Sequence, residues 1–130
     1  MNGYVSNIEQ LTIANTDYRR ILYTAQHMQL VLMCIMPGDE IGEEVHNLDQ
    51  FIRIEAGAGI AFINDTEHAL PQNTAIIIPE GAKHNIINTG DVPLKLYSIY
   101  APPEHADGIV EKTKADEIEE HFDGKTTESA

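Results

Sequence analysis

Residues 37–57 read PGDEIGEEVHNLDQFIRIEAG, and this stretch decides the fold that we expect for the whole chain. It places Glu44, His46 and Gln50 within seven positions and then continues as an apolar, strand-like segment. Side chains alternate between two faces in β-structure, so Glu44 and His46 share one face. Gln50 has the same parity and returns to that face after a short bend. A carboxylate, an imidazole and an amide directed at one point form the first half of a metal site.

The composition predicts one cytoplasmic domain. The chain has 130 residues, of which 42% are hydrophobic, and no apolar run approaches the roughly 18 residues that a membrane span needs. The start, MNGYVSNIEQ, lacks the basic and apolar regions of a secretory signal. A single cysteine, Cys34, lies in the apolar run LVLMCIM, where a buried thiol is expected rather than a nucleophile.

The charge of the chain argues against two classes of partner. Eight basic and 21 acidic residues give a formal net charge of −13. Nucleic acid demands a basic footprint, and an anionic membrane surface attracts basic segments. We therefore expect neither nucleic acid nor membrane as a partner, and expect a small-molecule ligand or substrate.

The pattern of strands and turns predicts an all-β fold. Seven or eight short strands, with turn signals about every 8–12 residues, indicate an antiparallel sandwich or a small barrel. The predicted strands are a short one near 5–11, followed by 19–26, 28–36, 51–55, 60–63, 74–78, 84–88 and 94–100. Because the run 28–36 is apolar at nearly every position, we expect it to be covered on both faces.

The C-terminal part differs in composition from the strands before it. The segment APPEHADG after residue 100 is a proline-rich loop, and residues 113–122 are predicted to form a short helix. We expect a single domain over residues 1–122, with its core at about 28–100, and a frayed tail over 123–130.

Two segments resemble the paired motifs of the cupin superfamily. The first motif has a glycine, five residues, H-x-H, three or four residues, a glutamate, six residues and a glycine. Here Gly38 begins that pattern, Glu44-Val45-His46 stands at H-x-H, Gln50 stands at the glutamate and Gly57 ends it. Glutamate thus replaces the first histidine and glutamine replaces the glutamate.

The second motif follows in register. It ends P-x-G, two residues, histidine, three residues, asparagine, and this chain has Pro79-Glu80-Gly81, His84 and Asn88 at those positions. Asn73 stands where the motif usually opens with glycine. The resemblance identifies the chain as a small single-domain cupin of the type-2 kind and implies an antiparallel barrel, also called a jelly roll or double-stranded β-helix.

The resemblance also implies a metal site. In the family four ligand positions point into one end of the barrel, and here they correspond to Glu44, His46, Gln50 and His84. The protein charge facing the ion is the same as in the family, because one carboxylate has moved from the fourth position to the first. We expect one divalent transition metal per chain (Fe, Mn, Ni or Zn), held by Glu44, His46 and His84. Gln50 is either a weak fourth ligand or a neighbour of the ligands, and a barrel that has lost its ion is the alternative.

Two functions remain open at this stage. The first is a metal-dependent enzyme, of isomerase, lyase or dioxygenase type, acting on a small oxygen-rich organic molecule. The second is a non-catalytic cupin that binds or senses a sugar or an organic acid. The catalytic residues are unknown. His105, in the loop 101–108, could cover the barrel mouth, although a surface route for that loop is favoured. Exposed edge strands predict a homodimer.

Overall fold

A computed structural model describes residues 1–129 of the chain. These residues form a helix α1 (Ile8–Ala14), nine β-strands and a 3-10 helix (Lys114–Asp116). No helix among them is long and apolar enough to cross a membrane. The strands are β1 (Arg19–Thr24), β2 (Gln29–Ile35), β3 (Asp49–Ala56), β4 (Gly59–Ile63), β5 (Thr66–Leu70), β6 (Ala75–Ile78), β7 (His84–Ile87), β8 (Leu94–Ala101) and β9 (Val110–Glu111).

The strands form two antiparallel sheets. The larger has the order β6-β3-β8-β2-β1-β9 and the smaller the order β5-β4-β7. Both sheets contribute to one apolar core, in which Ile52 of β3 and Leu96 of β8 meet Ala61 of β4 and Ile86 of β7. Each fully buried aliphatic side chain of the size of leucine stabilises the fold by about 1.5–3 kcal/mol. The mostly β, antiparallel class predicted from the sequence is confirmed.

The strand predictions were correct in the centre of the chain. Seven predicted strands are present, with ends that differ by at most two residues. Strand β2 is buried on both faces, as its apolar run indicated, since Val31 through Ile35 are all buried. Cys34 is a buried free thiol, as expected.

The N-terminal strand predicted near residues 5–11 is wrong. This region contains helix α1, and the side chain of Asn7 accepts a hydrogen bond of 3.1 Å from the amide of Gln10 at its start. Asparagine is a favoured residue at this position because its oxygen satisfies an amide that has no partner within the helix. Strand β5 was not predicted, because its first four residues are exposed and therefore lack the apolar alternation of a half-buried strand.

The predicted C-terminal helix is also wrong. Within residues 113–122 only Lys114–Asp116 is helical, as a single 3-10 turn. Residue 121 instead forms a β-bridge with His105. The segment therefore runs as an extended strap beside the loop that follows β8.

The last residues contact strand β1. The amide of Thr127 donates to the carbonyl of Thr24 at 3.0 Å, and the carboxylate of Glu128 accepts from the amide of Asn2 at 2.6 Å. Residues 127 and 128 thus have partners in the body of the protein, the frayed tail over 123–130 stays a prediction, and Ala130 lies outside the described residues.

Candidate metal centre

The segment after β2 turns back and pairs with β7. Gly38 has a φ of +83°, a left-handed conformation that glycine adopts without steric cost. The side chain of Asn88 locks this turn, since its amide group donates to the carbonyl of Ile35 at 2.8 Å. From there the chain runs antiparallel to β7, and the amide of Ile41 donates to the carbonyl of Ile86 at 2.9 Å. This pairing brings the first motif beside the second.

Glu44 and His84 lie directly opposite each other in this pairing. The amide of Glu44 donates to the carbonyl of His84 at 2.8 Å, and the amide of His84 donates to the carbonyl of Glu44 at 2.9 Å. Residues that exchange both hydrogen bonds in an antiparallel pair present their side chains on the same face. The backbone alone therefore brings the carboxylate and the imidazole together.

His46 completes a cluster of three donor groups. One ligand atom from each of Glu44, His46 and His84 lies within 4.8 Å of the others. His46 Nε2 is 3.2 Å from Glu44 Oε2, and the ring centroids of His46 and His84 are 5.2 Å apart. The resemblance to the paired motifs predicted that these three residues converge, and the structure brings them together.

The orientation of His84 suits a ligand. Its Nδ1 lies 3.0 Å from the carbonyl oxygen of Ala82, and a carbonyl can only accept. The proton of the neutral ring therefore resides on Nδ1, and the lone pair of Nε2 is free for a cation. His84 is buried, so its ring has little freedom to turn away.

Glu44 and His46 shift each other's proton affinity. Burial raises the pKa of Glu44, but its hydrogen bond with His46 and the charges of His46 and Arg19 outweigh burial and hold that pKa below its ordinary value. The same hydrogen bond raises the pKa of His46 above its ordinary value, against the effect of burial. A cation entering here would take the place of the shared proton, as is usual when metals bind to protein ligands.

Gln50 is buried and has one side-chain atom unsatisfied. It lies on β3 opposite Tyr100 of β8, and its Nε2 donates to Ser98 Oγ at 3.2 Å. Its Oε1 has no hydrogen-bond partner within the part of the chain that the structure describes. A buried carbonyl oxygen without a partner is unfavourable by about 1–3 kcal/mol. That oxygen is the feature expected of a weak fourth ligand.

The donor set fits a divalent transition metal. Two imidazoles and one carboxylate are ligands that such ions bind, and they leave coordination positions open. The free lone pair on His84 Nε2 agrees with an ion at this point.

Two further side chains lie near the cluster: Glu104, which the sequence did not single out, and His105, whose loop was considered as a cover for the barrel mouth. Glu104 Oε2 lies 3.5 Å from His46 Nδ1, and the His105 ring packs edge-on against Tyr100 with a centroid distance of 5.3 Å. Tyr100 in turn lies edge-on to His46 at 6.0 Å. The surface route favoured for the loop 101–108 is therefore wrong. One feature of the sequence could have indicated this position of the loop. The segment Pro-Pro-Glu-His directly follows β8, and the last buried residue of β8 is Tyr100.

A cavity of about 430 Å³ opens beside Glu44. Its wall contains one arginine, Arg19, whose side chain is only 4% exposed and whose Nη1 lies 2.6 Å from Glu111 and 3.1 Å from Glu117. The two carboxylates neutralise that arginine, so the wall as a whole is acidic. The other carboxylates that line the cavity are Glu43, Glu104, Glu119 and Glu120.

Two antiparallel sheets and a cluster of two histidines and one carboxylate define a β-protein with a candidate transition-metal centre. Residues 31–100 match the family model described as a cupin domain. The chain belongs to the cupin family, as its two motifs indicated.

Three known proteins are similar to most of this chain. The uncharacterized protein YrkC of Bacillus subtilis (strain 168) is 46% identical over 122 residues, which cover 88% of this chain and 66% of that protein. The uncharacterized protein L612 of Acanthamoeba polyphaga mimivirus is 43% identical over 113 residues, covering 83% of this chain and 71% of that protein. The crystal structure of BH2720 from Bacillus halodurans has a TM-score of 0.85 and 46% identity, covering 87% of this chain and 91% of that one. The chain thus spans about two thirds of the length of YrkC.

Proposed function

We propose that this cupin is a metal-dependent enzyme that acts on a small, oxygen-rich organic molecule. Glu44, His46 and His84 would hold one divalent transition ion, with Gln50 as a fourth ligand. The observation that carries the proposal is the convergence of the three donor atoms within 4.8 Å, from segments that are distant in sequence. We further propose that the two sheets enclose this site as the barrel predicted from the motifs.

The chemistry would be divided between the ion and the surrounding side chains. When bound, the ion supplies Lewis acidity at a substrate oxygen, which suits isomerase, lyase or dioxygenase reactions. His105 lines the cavity beside Glu44. Burial lowers the pKa of His105 to about 3, so its ring is neutral at pH 7 and offers one hydrogen-bond donor and one acceptor. It can therefore orient a hydroxyl or carbonyl group without adding charge.

The charge of the cavity favours a neutral substrate. Arg19 is paired with two carboxylates, and the remaining charged groups of the wall are predominantly acidic. An organic dianion would be repelled by this wall except at the ion itself, because like charges in a partly desolvated cleft interact strongly. A polyhydroxylated or keto compound without net charge meets no such penalty.

We also propose that two copies of the chain associate through the outer face of the larger sheet. Phe51 of β3 pairs with Ile77 of β6 on one side and with Ile99 of β8 on the other. Ile99 pairs with Leu30 of β2, so the four side chains form a continuous apolar row across four strands. Ile77 is 70% exposed in the single chain. Apolar patches of this kind commonly mark protein interfaces.

Metal analysis and turnover test the enzymatic proposal. The protein purified without chelator or added metal is expected to contain about one transition-metal ion per chain, and His84→Ala is expected to contain almost none. The matched control is His68→Ala, which removes an exposed histidine of β5. Turnover of neutral hydroxy-carbonyl compounds should vanish with EDTA and return with the metal. Full metal occupancy in His84→Ala would refute the assignment.

A further inference from the structure

The loop after β8 is fixed rigidly to the body of the protein. Gln29 of β2 is completely buried, and its Oε1 accepts hydrogen bonds from the amides of Glu104 (3.3 Å) and His105 (3.1 Å). Its Nε2 donates to the carbonyl of His105 at 2.8 Å and to Thr24 Oγ1 at 3.0 Å. The buried carboxamide of Gln29 thus binds the loop backbone both as a hydrogen-bond acceptor and as a donor.

The strap at residues 117–122 holds the same loop from the opposite side. The amide of Phe122 donates to the carbonyl of Glu104 at 3.0 Å, and the amide of Ala106 donates to the carbonyl of Glu120 at 3.1 Å. Between these two bonds, His121 Nδ1 donates to Glu104 Oε1 at 3.1 Å. The carboxylate of Glu104 is therefore anchored through one of its oxygens.

The other oxygen of Glu104 faces a candidate metal ligand. Glu104 Oε2 lies 3.5 Å from His46 Nδ1, and its side chain is only 17% exposed. The opposite nitrogen of His46, Nε2, points to Glu44, the side on which an ion would lie. A neutral imidazole that gives Nε2 to a metal carries its single proton on Nδ1, and that proton needs an acceptor.

We propose that Glu104 is a positioning residue for His46: it accepts the Nδ1 proton, fixes the ring and increases the affinity of the site for its metal. This inference rests on the metal-binding function proposed above. With Glu104 in this role, each histidine has its own acceptor for the Nδ1 proton, since His84 Nδ1 already faces the carbonyl of Ala82. Loss of such an outer partner typically weakens metal binding 10- to 100-fold. The strap acts through His121, which holds Glu104 in place.

Metal titration of the full chain tests this role. Metal-free protein is titrated with Co²⁺ alone, and the dissociation constant and the visible spectrum are recorded for wild type, Glu104→Ala and Glu104→Gln. We expect Glu104→Ala to bind about 10- to 100-fold more weakly, with an altered Co²⁺ spectrum. Glu104→Gln should lie in between, because a carboxamide can accept the proton but can also donate and favour the wrong tautomer. His121→Ala should weaken binding less than Glu104→Ala does.

The matched control is Glu120→Gln. Glu120 lines the same cavity and is exposed, so this change removes a nearby charge without touching His46. Thermal unfolding of the metal-free variants separates a positioning role from a structural one, because only the latter lowers the unfolding temperature without metal. Wild-type affinity and spectrum in Glu104→Ala, or equal losses in Glu104→Ala and Glu120→Gln, would overturn the inference while leaving the metal site intact. If wild type takes up no Co²⁺, the proposed function itself fails.

Discussion

Glu44 and His84 exchange both of their backbone hydrogen bonds, at 2.8 and 2.9 Å, although they belong to separate sequence motifs. This pairing explains why a glutamate can occupy a position that is usually histidine. The location of the side chain is set by the backbone and not by the chemistry of the side chain. The ligand type can therefore change while the convergence of the cluster is kept.

Replacing Gln50 with glutamate tests whether an ion lies beside it. Gln50 is 4% exposed, so a carboxylate there is desolvated. In EDTA we expect Gln50→Glu to lower the free energy of unfolding by about 3 kcal/mol, as an unpaired buried charge does. In saturating Co²⁺ the deficit relative to wild type should shrink, because the ion pairs with the new charge. Urea unfolding in both conditions measures this. Gln72→Glu, at an exposed turn, is the control, and an equal deficit with and without Co²⁺ would contradict the account.

Arg19 should contribute strongly to stability. Its side chain and that of Glu111 are only 4% and 3% exposed, and their charged atoms are 2.6 Å apart. Arg19→Met leaves Glu111 buried without its cation, so we expect a loss of about 3–5 kcal/mol in the free energy of unfolding. Arg20→Met is the control because Arg20 is 51% exposed, and it should change stability by less than about 0.5 kcal/mol. A loss of under about 1 kcal/mol for Arg19→Met would show that the pair is not important for the fold.

His105 should make the protein sensitive to acid. Burial lowers its pKa to about 3, and the positive charge of Arg19 acts in the same direction. An unfolded histidine has a pKa of about 6.5. The unfolded state therefore binds more protons between these values, so the stability due to neutral His105 is complete above about pH 6.5 and is lost as the pH falls below it.

The variant His105→Phe isolates this contribution. It should flatten the decline of unfolding free energy between about pH 6.5 and 4 by up to roughly 1.4 kcal/mol per pH unit. The charges of Glu44, His46 and His121 also act on this ring. These residues are present in both wild type and His105→Phe, so their own contributions cancel when the two pH profiles are subtracted. The matched control is His27→Phe, which removes an exposed imidazole. Parallel pH profiles for wild type and His105→Phe would rule out this contribution.

Ile77→Lys should separate the proposed dimer. A lysine at the β6 end of the apolar row would bury an unpaired charge in the interface. Light scattering should give about twice the chain mass of 14.4 kDa for wild type and a single chain mass for the variant. Val92→Lys, 51% exposed in the connection between β7 and β8, should remain dimeric. If wild type is monomeric at tens of micromolar, the proposed dimer is wrong.

Strand parity, a local property, predicted that Glu44 and His46 share one face, whereas the convergence of His84 with them was predicted from the resemblance to the paired cupin motifs. Gly57, which ends the first motif, shows why the spacing is informative. It has a φ of +80°, and a side chain there would place its Cβ 2.5 Å from the carbonyl oxygen of Pro93. Only glycine fits at that position, so the residue marks the register of β3 and of Gln50 before it.

Glu104 could not be predicted in the same way, and for His105 the sequence offered a loop over the barrel mouth only as the less favoured alternative. Their positions depend on the carboxamide of Gln29 and on the strap at residues 117–122, both distant in sequence. The prediction of a helix over 113–122 was wrong for the same reason. Residues 120 and 122 make their backbone hydrogen bonds with the loop rather than within a helix. Local propensity is a weak guide where tertiary hydrogen bonds are available.

The most direct measurement is an anomalous difference map, at the metal absorption edge, from a crystal of the Co²⁺-loaded protein. The account predicts one strong peak per chain, about 2.0–2.2 Å from His46 Nε2, His84 Nε2 and a carboxylate oxygen of Glu44. A peak at other residues, or none at this cluster in a crystal soaked well above the dissociation constant, would contradict it.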